Sequence, residues 1–181
     1  TSIAALVGSP GADGGISLRE AILTANVDNT DVVDTIGFAP SVRGTIQLTN
    51  TNLAWQLEIS SDLTINGPGA SLLTIRAFAG MAAVGDGARI FRVDDGNAGT
   101  FKDVAISGLT IAGGDRTLSD GSDGGGILNF ENLTLMACTV SDNVLSSGGT
   151  SRGGGIFSSL GSLSITNCTI SGNTARRGGG I

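Results

Sequence analysis

Carboxylates are the side chains in this sequence whose types and spacing best suit chemistry. Histidine and tyrosine are absent, which excludes Ser-His and Cys-His nucleophile systems, imidazole metal sites and the commonest general base. Arginines and a single lysine are the remaining charged groups. The acidic candidates are therefore the adjacent pair Asp94-Asp95 and the aspartates between Gly114 and Gly124.

The pair Asp94-Asp95 has two interpretations. Glycoside hydrolysis normally uses two carboxylates, and adjacent aspartates are similar to those of some glycosidases. The stretch Asp94-Asp95-Gly96-Asn97 is also strong turn chemistry. A Gly-His-Gly element does not accompany it, and a polysaccharide lyase would need a basic catalytic residue beside a calcium-binding acidic cluster. The sequence favours a turn here, and a catalytic pair is the alternative.

The second acidic group is a loop that contains Asp115, Asp120 and Asp123. Calcium takes six to eight oxygen ligands, often from loops of this kind. The spacing matches neither the EF-hand loop nor the nonapeptide calcium repeat. A solvated loop is the default interpretation, and calcium bound by these three aspartates is the alternative. The sequence predicts no other cofactor.

The chain repeats itself towards its C-terminal end. Gly124-Gly125-Gly126-Ile127 recurs at 153–156 and again at 178–181, and the runs 133–143 and 163–173 are equivalent at a spacing of 30 residues. A period of this size indicates an array of stacked units. Each unit contains short apolar-polar-apolar runs, which are typical of strands, and the 30 glycines suit many tight corners. The pattern predicts an all-β fold, a single-stranded parallel β-solenoid.

Stacking the repeats places equivalent side chains in columns. Alternating residues point inward, which predicts one interior column of Leu109, Cys138 and Cys168 and another of Ile111, Val140 and Ile170. Threonines 110, 139 and 169 then form an outward column, as on ice-binding solenoids, although threonine suits any exposed strand face. Asparagines 143 and 173 occupy matching corners, where we expect them to hydrogen-bond from coil to coil.

Two cysteines, Cys138 and Cys168, occupy equivalent positions in neighbouring repeats. Parallel strands lie ~4.8 Å apart, within the Cα separation of roughly 4.4–6.8 Å that a disulfide accepts. Identical stacked side chains point the same way, however, which is poor torsion geometry for an S–S bond. The sequence favours two free thiols that pack as small hydrophobic groups, with a disulfide as the alternative.

The N-terminal part differs from the repeats. Ser17-Leu18-Arg19-Glu20 forms a capping box, and an apolar stripe follows it, so we predict an amphipathic helix over about 17–27. A short strand is expected at Ile3–Val7. The helix is suited to cover the end of the solenoid, where unpaired strand edges invite aggregation. We therefore expect an N-terminal cap over 1–35 and a β-helix over 36–181.

Residues 16–114 carry a resemblance to a known family. The motifs are Ser17-Leu18-Arg19-Glu20-Ala21-Ile22, Asp34–Phe38, Gly44–Leu48 and Leu63–Ala70. In order and spacing they resemble the CSLREA family of bacterial secreted or surface proteins, although Ile16 stands where the family motif has its leading cysteine. The resemblance implies a right-handed, pectate-lyase-like β-helix and a secreted or cell-surface location. The repeats after Gly124 are similar to those of chlamydial polymorphic outer-membrane proteins.

Charge and composition limit the partners. The formal net charge is −6, which disfavours nucleic acid because a phosphate backbone needs a basic face. The apolar runs are far shorter than the ~20 residues that span a bilayer. We expect a non-catalytic extracellular or cell-surface protein, a structural scaffold or an adhesin fragment, with a polysaccharide-acting lyase or glycoside hydrolase as the alternative.

The last repeat stops at Ile181, the first apolar residue of a new unit. A bare strand edge is not expected to be stable in water. We therefore expect the natural chain to continue, or a sister subunit to cover this edge. Surface glycans are the other expected partners.

Overall fold

The computed structural model describes residues 15–28, 32–49, 56–78, 88–116, 123–145 and 151–181. The described chain forms one α-helix followed by short strands that pair only in parallel. This arrangement confirms the predicted all-β parallel solenoid, which makes about four complete turns. The strand predicted at Ile3–Val7 lies outside the described residues.

The helix α1 spans Leu18–Ala25 and begins at the predicted capping box. The Glu20 amide donates to the Ser17 hydroxyl at 3.2 Å, and the Ser17 amide donates to the Glu20 carboxylate at 2.8 Å. The helix ends at Ala25, with Asn26 as its C-cap, which is two residues before the predicted end at about 27. Its buried apolar face contacts strands of the first coil, so the helix packs where a cap is expected.

Three parallel sheets form the sides of the solenoid, and each of the four complete coils contributes one strand to each of them. The first sheet contains β1 (Asp34–Gly37), β4 (Leu63–Asn66), β7 (Asp103–Ser107), β10 (Asn132–Met136) and β14 (Leu163–Thr166). The second contains β2 (Gly44–Gln47), β5 (Leu73–Arg76), β8 (Thr110–Ala112), β11 (Thr139–Ser141) and β15 (Thr169–Ser171). The third contains β3 (Leu57–Ile59), β6 (Phe91–Val93), β9 (Ile127–Asn129) and β13 (Ile156–Ser158), and a short pair joins β12 (Val144–Leu145) to β16 (Thr174–Ala175).

The strand register confirms the sequence period and shows where it fails. Leu133 pairs with Val104 and with Leu163, at offsets of 29 and 30 residues. Leu63 pairs with Val104, 41 residues later. The additional residues of that coil enlarge the corner 67–72 and the loop 94–102. This longer coil is the reason that the repeat is hard to recognise upstream of Val104.

The interior is filled by stacked aliphatic side chains. Leu109, Ile111, Cys138 and Val140 are at most 1% exposed, as the predicted columns require. At ~25 cal/mol per Å² of apolar surface, such burial is the main source of stability. In the last coil Cys168 and Ile170 are only partly buried, since they form the end layer of the core in this chain.

The repeated Gly-Gly-Gly-Ile motif forms a corner where successive coils approach closely. Gly124 and Gly153 have φ values of +71° and +67°, a region that glycine enters without a Cβ clash. A Cβ on Gly126 would lie 2.6 Å from the carbonyl oxygen of Gly155. The motif is therefore required both by backbone conformation and by the contact between coils.

The two corner asparagines form the predicted link between coils. The Asn143 side chain accepts from the Gly114 amide at 2.8 Å and donates to the Ile111 carbonyl at 3.2 Å. It also donates to Asn173 Oδ1 at 2.9 Å. Asn173 in turn donates to the Val140 carbonyl at 2.8 Å. This asparagine ladder satisfies backbone groups that would otherwise be buried without partners.

Candidate functional site

The outer face of the third sheet carries one column of side chains from four successive coils. Glu58, Arg92, Leu128 and Phe157 are in register across β3, β6, β9 and β13. Their strand neighbours point inward because side chains alternate along a strand. A parallel sheet thus holds an acid, a guanidinium, an aliphatic group and an aromatic ring in a fixed row.

Arg92 is oriented by carboxylates on both of its terminal nitrogens. Nη1 donates to Glu58 Oε1 at 2.8 Å, and Nη2 donates to Asp94 Oδ2 at 2.5 Å. The Arg92 side chain is 37% exposed. A guanidinium has five N–H donors, and these two bonds use two of them. Pairing from two sides also fixes the plane of the guanidinium group.

A depression of about 310 Å³ lies beside Arg92. We call it the arginine depression, and its lining residues are Gln56, Arg89, Arg92, Arg116, Asp123, Leu128 and Phe130. Its volume is at the lower end of the ~300–1,000 Å³ range of small-molecule sites. Arg89 is buried in its wall, where Nη2 donates to the Asp123 carbonyl at 2.9 Å and Nε donates to the Gly124 carbonyl at 3.2 Å.

The Gln56 residue also lines the depression. Its side-chain oxygen Oε1 is buried away from solvent and has no hydrogen-bond donor within the part of the chain that the structure describes. Its backbone carbonyl accepts from Arg19 Nη1 at 2.7 Å. Arg19 Nη2, on the same guanidinium, is a second buried atom without a partner among these residues.

Asp123, Arg152 and Phe157 form one contact group at the edge of the depression. Arg152 Nη2 donates to Asp123 Oδ2 at 2.6 Å, and the Arg152 amide donates to Oδ1 at 2.8 Å. The hydrogen bond and the charge of Asp123 raise the pKa of Arg152. The Arg152 guanidinium lies 4.5 Å from the centroid of the Phe157 ring, well within the ~6 Å reach of a cation–π contact. Phe157 packs edge-on against Phe130, with centroids 6.4 Å apart.

Basic side chains are concentrated in this region. The depression and its immediate pairs contain four guanidinium groups, from Arg89, Arg92, Arg116 and Arg152, and three carboxylates, from Glu58, Asp94 and Asp123. The fold gathers four of its ten basic residues on one outer face.

The pair Asp94-Asp95 belongs to a three-carboxylate group that also contains Glu131. Their oxygens all lie within 4.8 Å of one another, and this is the only such group of three among the residues that the structure describes. Glu131 is 1% exposed and accepts from the amides of Asp95 at 2.9 Å and Lys102 at 2.7 Å. It therefore fastens both ends of the loop 94–102 to the next coil.

The two aspartates of this loop are also engaged by donors. Asp94 Oδ1 accepts from the Gly96 amide at 2.8 Å, and Asp95 Oδ1 accepts from the Asn97 amide at 2.7 Å. These are turn hydrogen bonds. The turn interpretation of Asp94-Asp95-Gly96-Asn97 is thus the one that the local geometry favours.

The structure describes two of the three aspartates that were predicted to bind calcium. Asp115 lies at a parallel bridge to Val144, and Asp123 is paired with Arg152. Asp120 lies outside the described residues. The calcium site formed by Asp115, Asp120 and Asp123 stays a prediction.

The two cysteines are free thiols, as the torsion argument favoured. The Cys138 amide donates to Cys168 Sγ at 3.3 Å, and Cys138 Sγ donates to the Ile106 carbonyl at 3.5 Å. Burial raises the pKa of the Cys138 thiol. An ionised nucleophile is therefore disfavoured at this position.

The threonine column is longer than the sequence indicated. Thr110, Thr139 and Thr169 continue through Thr74 to Thr45 in the second sheet. The adjacent outward column on the same sheet is not threonine, since Gln47, Arg76, Ala112, Ser141 and Ser171 occupy it. A second matching column, which an ice-binding face needs, is not formed there.

Sequence reasoning missed the outer face of the third sheet. One signal was available, because the Gly-Gly-Gly-Ile alignment places Asp123 on Arg152 and Leu128 on Phe157 at an offset of 29 residues. The arginines at 89 and 92 lie in the longer coil, where that alignment does not extend. Opposite charges at equivalent positions of neighbouring coils were therefore the detectable part of the site.

The chain was compared with protein families, curated proteins and solved structures. No protein-family model matches the chain, and searches of curated proteins and of solved structures found no significant match. Across the described residues, no helix has the length and apolarity that crossing a membrane requires.

Proposed function

We propose that this chain is part of a non-catalytic, bacterial extracellular or cell-surface β-helix protein that serves as a scaffold or an adhesin and binds glycans through the outer face of its third sheet. The observation that carries the proposal is the arginine depression, where an oriented guanidinium, a leucine and an aromatic side chain line one shallow cavity. Small-molecule sites typically combine apolar walls with a few fixed polar groups of this kind.

A binding role suits the rigidity of the face. Arg92 is held by two carboxylates, and Arg152 is held by one carboxylate and stacked on a ring. Fixed side chains lose little conformational entropy when a ligand binds, which favours affinity. The column continues over four coils, and its partly exposed members Glu58 and Arg92 lie on adjacent strands.

A non-catalytic role suits the state of the carboxylates near the depression. Glu131 is buried and accepts two amides, while Asp94 accepts from Arg92 and from the Gly96 amide. A general acid or base must reach the proton it transfers. These carboxylates are instead directed at the protein's own donors.

One observation favours the alternative, a polysaccharide-acting enzyme of the β-helix class. Asp94, Asp95 and Glu131 bring three carboxylates together beside a second depression of about 240 Å³ that Phe130 and Leu160 also line. Two carboxylates are the usual requirement for glycoside hydrolysis. Under this alternative, a ligand would displace the Asn97 amide from Asp95 and free its carboxylate.

A single experiment separates the two functions. The protein is incubated with a panel of plant, algal and bacterial polysaccharides, and both binding and the release of reducing or unsaturated ends are measured. We expect binding without products. Release of products that disappears in Asp95→Asn would establish the enzyme and overturn the non-catalytic proposal.

Two further parts of the proposal concern other partners. A sister subunit that stacks on the last coil would cover Leu163, Ile165 and Ile170, which are only partly buried. Calcium bound near Asp115, Asp120 and Asp123 would raise the melting temperature on addition of the ion. Light scattering tests the first, and thermal unfolding with and without calcium tests the second.

A further inference from the structure

Strand β3 lies at the end of the third sheet, and one of its edges has no neighbouring strand among the described residues. On its other side, the Leu57 amide and the Ile59 carbonyl bond to the coil that contains β6, at 2.8 and 2.9 Å. The backbone groups of successive strand residues point to opposite sides of the strand. The backbone groups of Gln56, Glu58 and Ser60 therefore form the outer edge of this sheet.

Two side chains of α1 bond to this outer edge. Arg19 Nη1 donates to the Gln56 carbonyl at 2.7 Å. Asn26 Nδ2 donates to the Glu58 carbonyl at 2.7 Å, and the Ser60 amide donates to Asn26 Oδ1 at 2.9 Å. Three backbone groups of the edge therefore have partners that come from helix side chains and not from a strand.

The two bonds of Asn26 have the pattern of a parallel strand. In a parallel ladder, a residue donates its amide to the residue before its partner, and its carbonyl accepts from the residue after its partner. The Asn26 carboxamide donates to Glu58 and accepts from Ser60. It therefore occupies the place of a strand residue that is paired with Ile59.

Arg19 supplies the donor of the preceding position in the same way. A strand residue paired with Leu57 would donate its amide to the Gln56 carbonyl, and the Arg19 guanidinium donates there instead. Arg19 and Asn26 are seven residues apart in the chain, which is about two helical turns, so they lie on one face of α1. The helix thus presents both groups along β3.

We propose that α1 prevents strand addition to the third sheet, because Asn26 and Arg19 occupy the β3 edge in place of a strand and exclude a second copy of this chain. An open edge is a template for pairing, since its free amides and carbonyls match those of any other strand. A second copy is present in every solution of the protein and, with its own α1 displaced, offers the same row of groups. This role is separate from glycan binding and does not depend on it.

Amide hydrogen exchange of the whole chain, measured residue by residue by NMR, tests the contact. Asn26→Leu removes the acceptor of the Ser60 amide, and we expect that amide to exchange at least about 5-fold faster than in the wild type, the effect of one lost hydrogen bond. The Leu57 amide, which bonds towards β6, should change less than about twofold. Leu23→Ala, on the exposed side of the helix, should leave both amides unchanged.

Size-exclusion chromatography with light scattering tests the exclusion of a second copy. We expect the mass of Arg19→Met/Asn26→Leu to rise over an about 100-fold range of concentration, as mass action requires. Ile22→Val is the control, because it weakens the buried face of α1 but keeps both edge contacts, and it should retain the wild-type mass. In the associated form, exchange at the Glu58 and Ser60 amides should slow again, since a partner strand then occupies them.

Four results would overturn the inference. They are unchanged exchange of the Ser60 amide in Asn26→Leu, a double variant that keeps the wild-type mass at every concentration, equal association of Ile22→Val, and association that leaves the Glu58 and Ser60 amides in fast exchange. The last result would assign the contact to another surface, such as the last coil. If circular dichroism shows that the double variant is unfolded, Asn26→Leu alone is used for both measurements.

Discussion

Replacing Asn143 by leucine tests the asparagine ladder, which links three successive coils. Leucine has a similar shape but removes the acceptor for the Gly114 amide and the donor for the Ile111 carbonyl. Asn143 is fully buried, so water cannot replace these bonds without a rearrangement. The variant therefore isolates the polar contribution of the ladder from its packing.

The expected loss follows from the two backbone groups that Asn143→Leu leaves buried without a partner. Each unsatisfied buried group costs about 1–3 kcal/mol, so for two groups we expect the free energy of unfolding to fall by about 2–6 kcal/mol. Urea unfolding followed by far-ultraviolet circular dichroism measures this difference. The denaturant slope should stay unchanged if the variant loses stability without losing compactness.

Asn173→Leu is the matched control, since it removes the neighbouring rung of the same ladder. Asn173 is only half-buried, so water can replace part of what its side chain donates and accepts, and we expect a loss of about 1–2 kcal/mol. The double variant should lose less than the sum of the two, because the residues share a hydrogen bond. If Asn143→Leu costs under about 1 kcal/mol, or no more than Asn173→Leu, then the ladder does not contribute as argued.

Three further predictions concern the loop, the thiol and the glycine corner. Glu131→Gln should release the loop 94–102, because one of the two carboxylate oxygens that accept from loop amides is replaced by an NH₂ donor. Limited proteolysis should then cut this loop first, at least several-fold faster than in the wild type. Burial raises the pKa of the Cys138 thiol above its ordinary 9.0, so the thiol of the unfolded state loses its proton first as the pH rises. The free energy of unfolding should therefore fall above that pH, by up to about 1.4 kcal/mol per pH unit. Cys138→Val should remove this part of the decline in urea unfolding at pH 7–10. Gly126→Ala should destabilise the protein by at least about 2 kcal/mol, because the added Cβ would meet the backbone of the next coil. Gly37→Ala is the control and should be nearly neutral, because a Cβ at Gly37 would have open space around it.

Each of these has a result that would contradict it. Cleavage of Glu131→Gln at the wild-type sites and rate would show that the loop is held by other contacts. An alkaline decline that is identical with and without Cys138 would assign it to other groups. Equal stability of the two alanine variants would mean that the coils can separate at the glycine corner at little cost.

The fold was largely predictable because its determinants recur at a fixed spacing. Cys138 and Val140 differ little from their equivalents one coil away, and the strand register follows from these columns. The helix was predictable from Ser17 and Glu20 because a capping box is a local signal. The corner role of Asn143 followed from its equivalence to Asn173.

The candidate site was less predictable because its contacts join positions without a common period. Arg92 meets Glu58 at a distance of 34 residues and Asp94 at a distance of two. Glu131 meets Asp95 across 36 residues because the loop 94–102 enlarges that coil. The orphan oxygen of Gln56 has no sequence signature at all, since burial of a single atom depends on the packing around it.

The most direct test of the central claim is an NMR titration of ¹⁵N-labelled protein with the polysaccharide fragments of the binding panel, in which the arginine Nε–H resonances are followed. The account predicts a saturable shift of the Arg92 resonance, while that of Arg76 on the second sheet stays in place. A complex that forms without moving Arg92, or that moves Arg76 equally, would show that the outer face of the third sheet is not the binding surface.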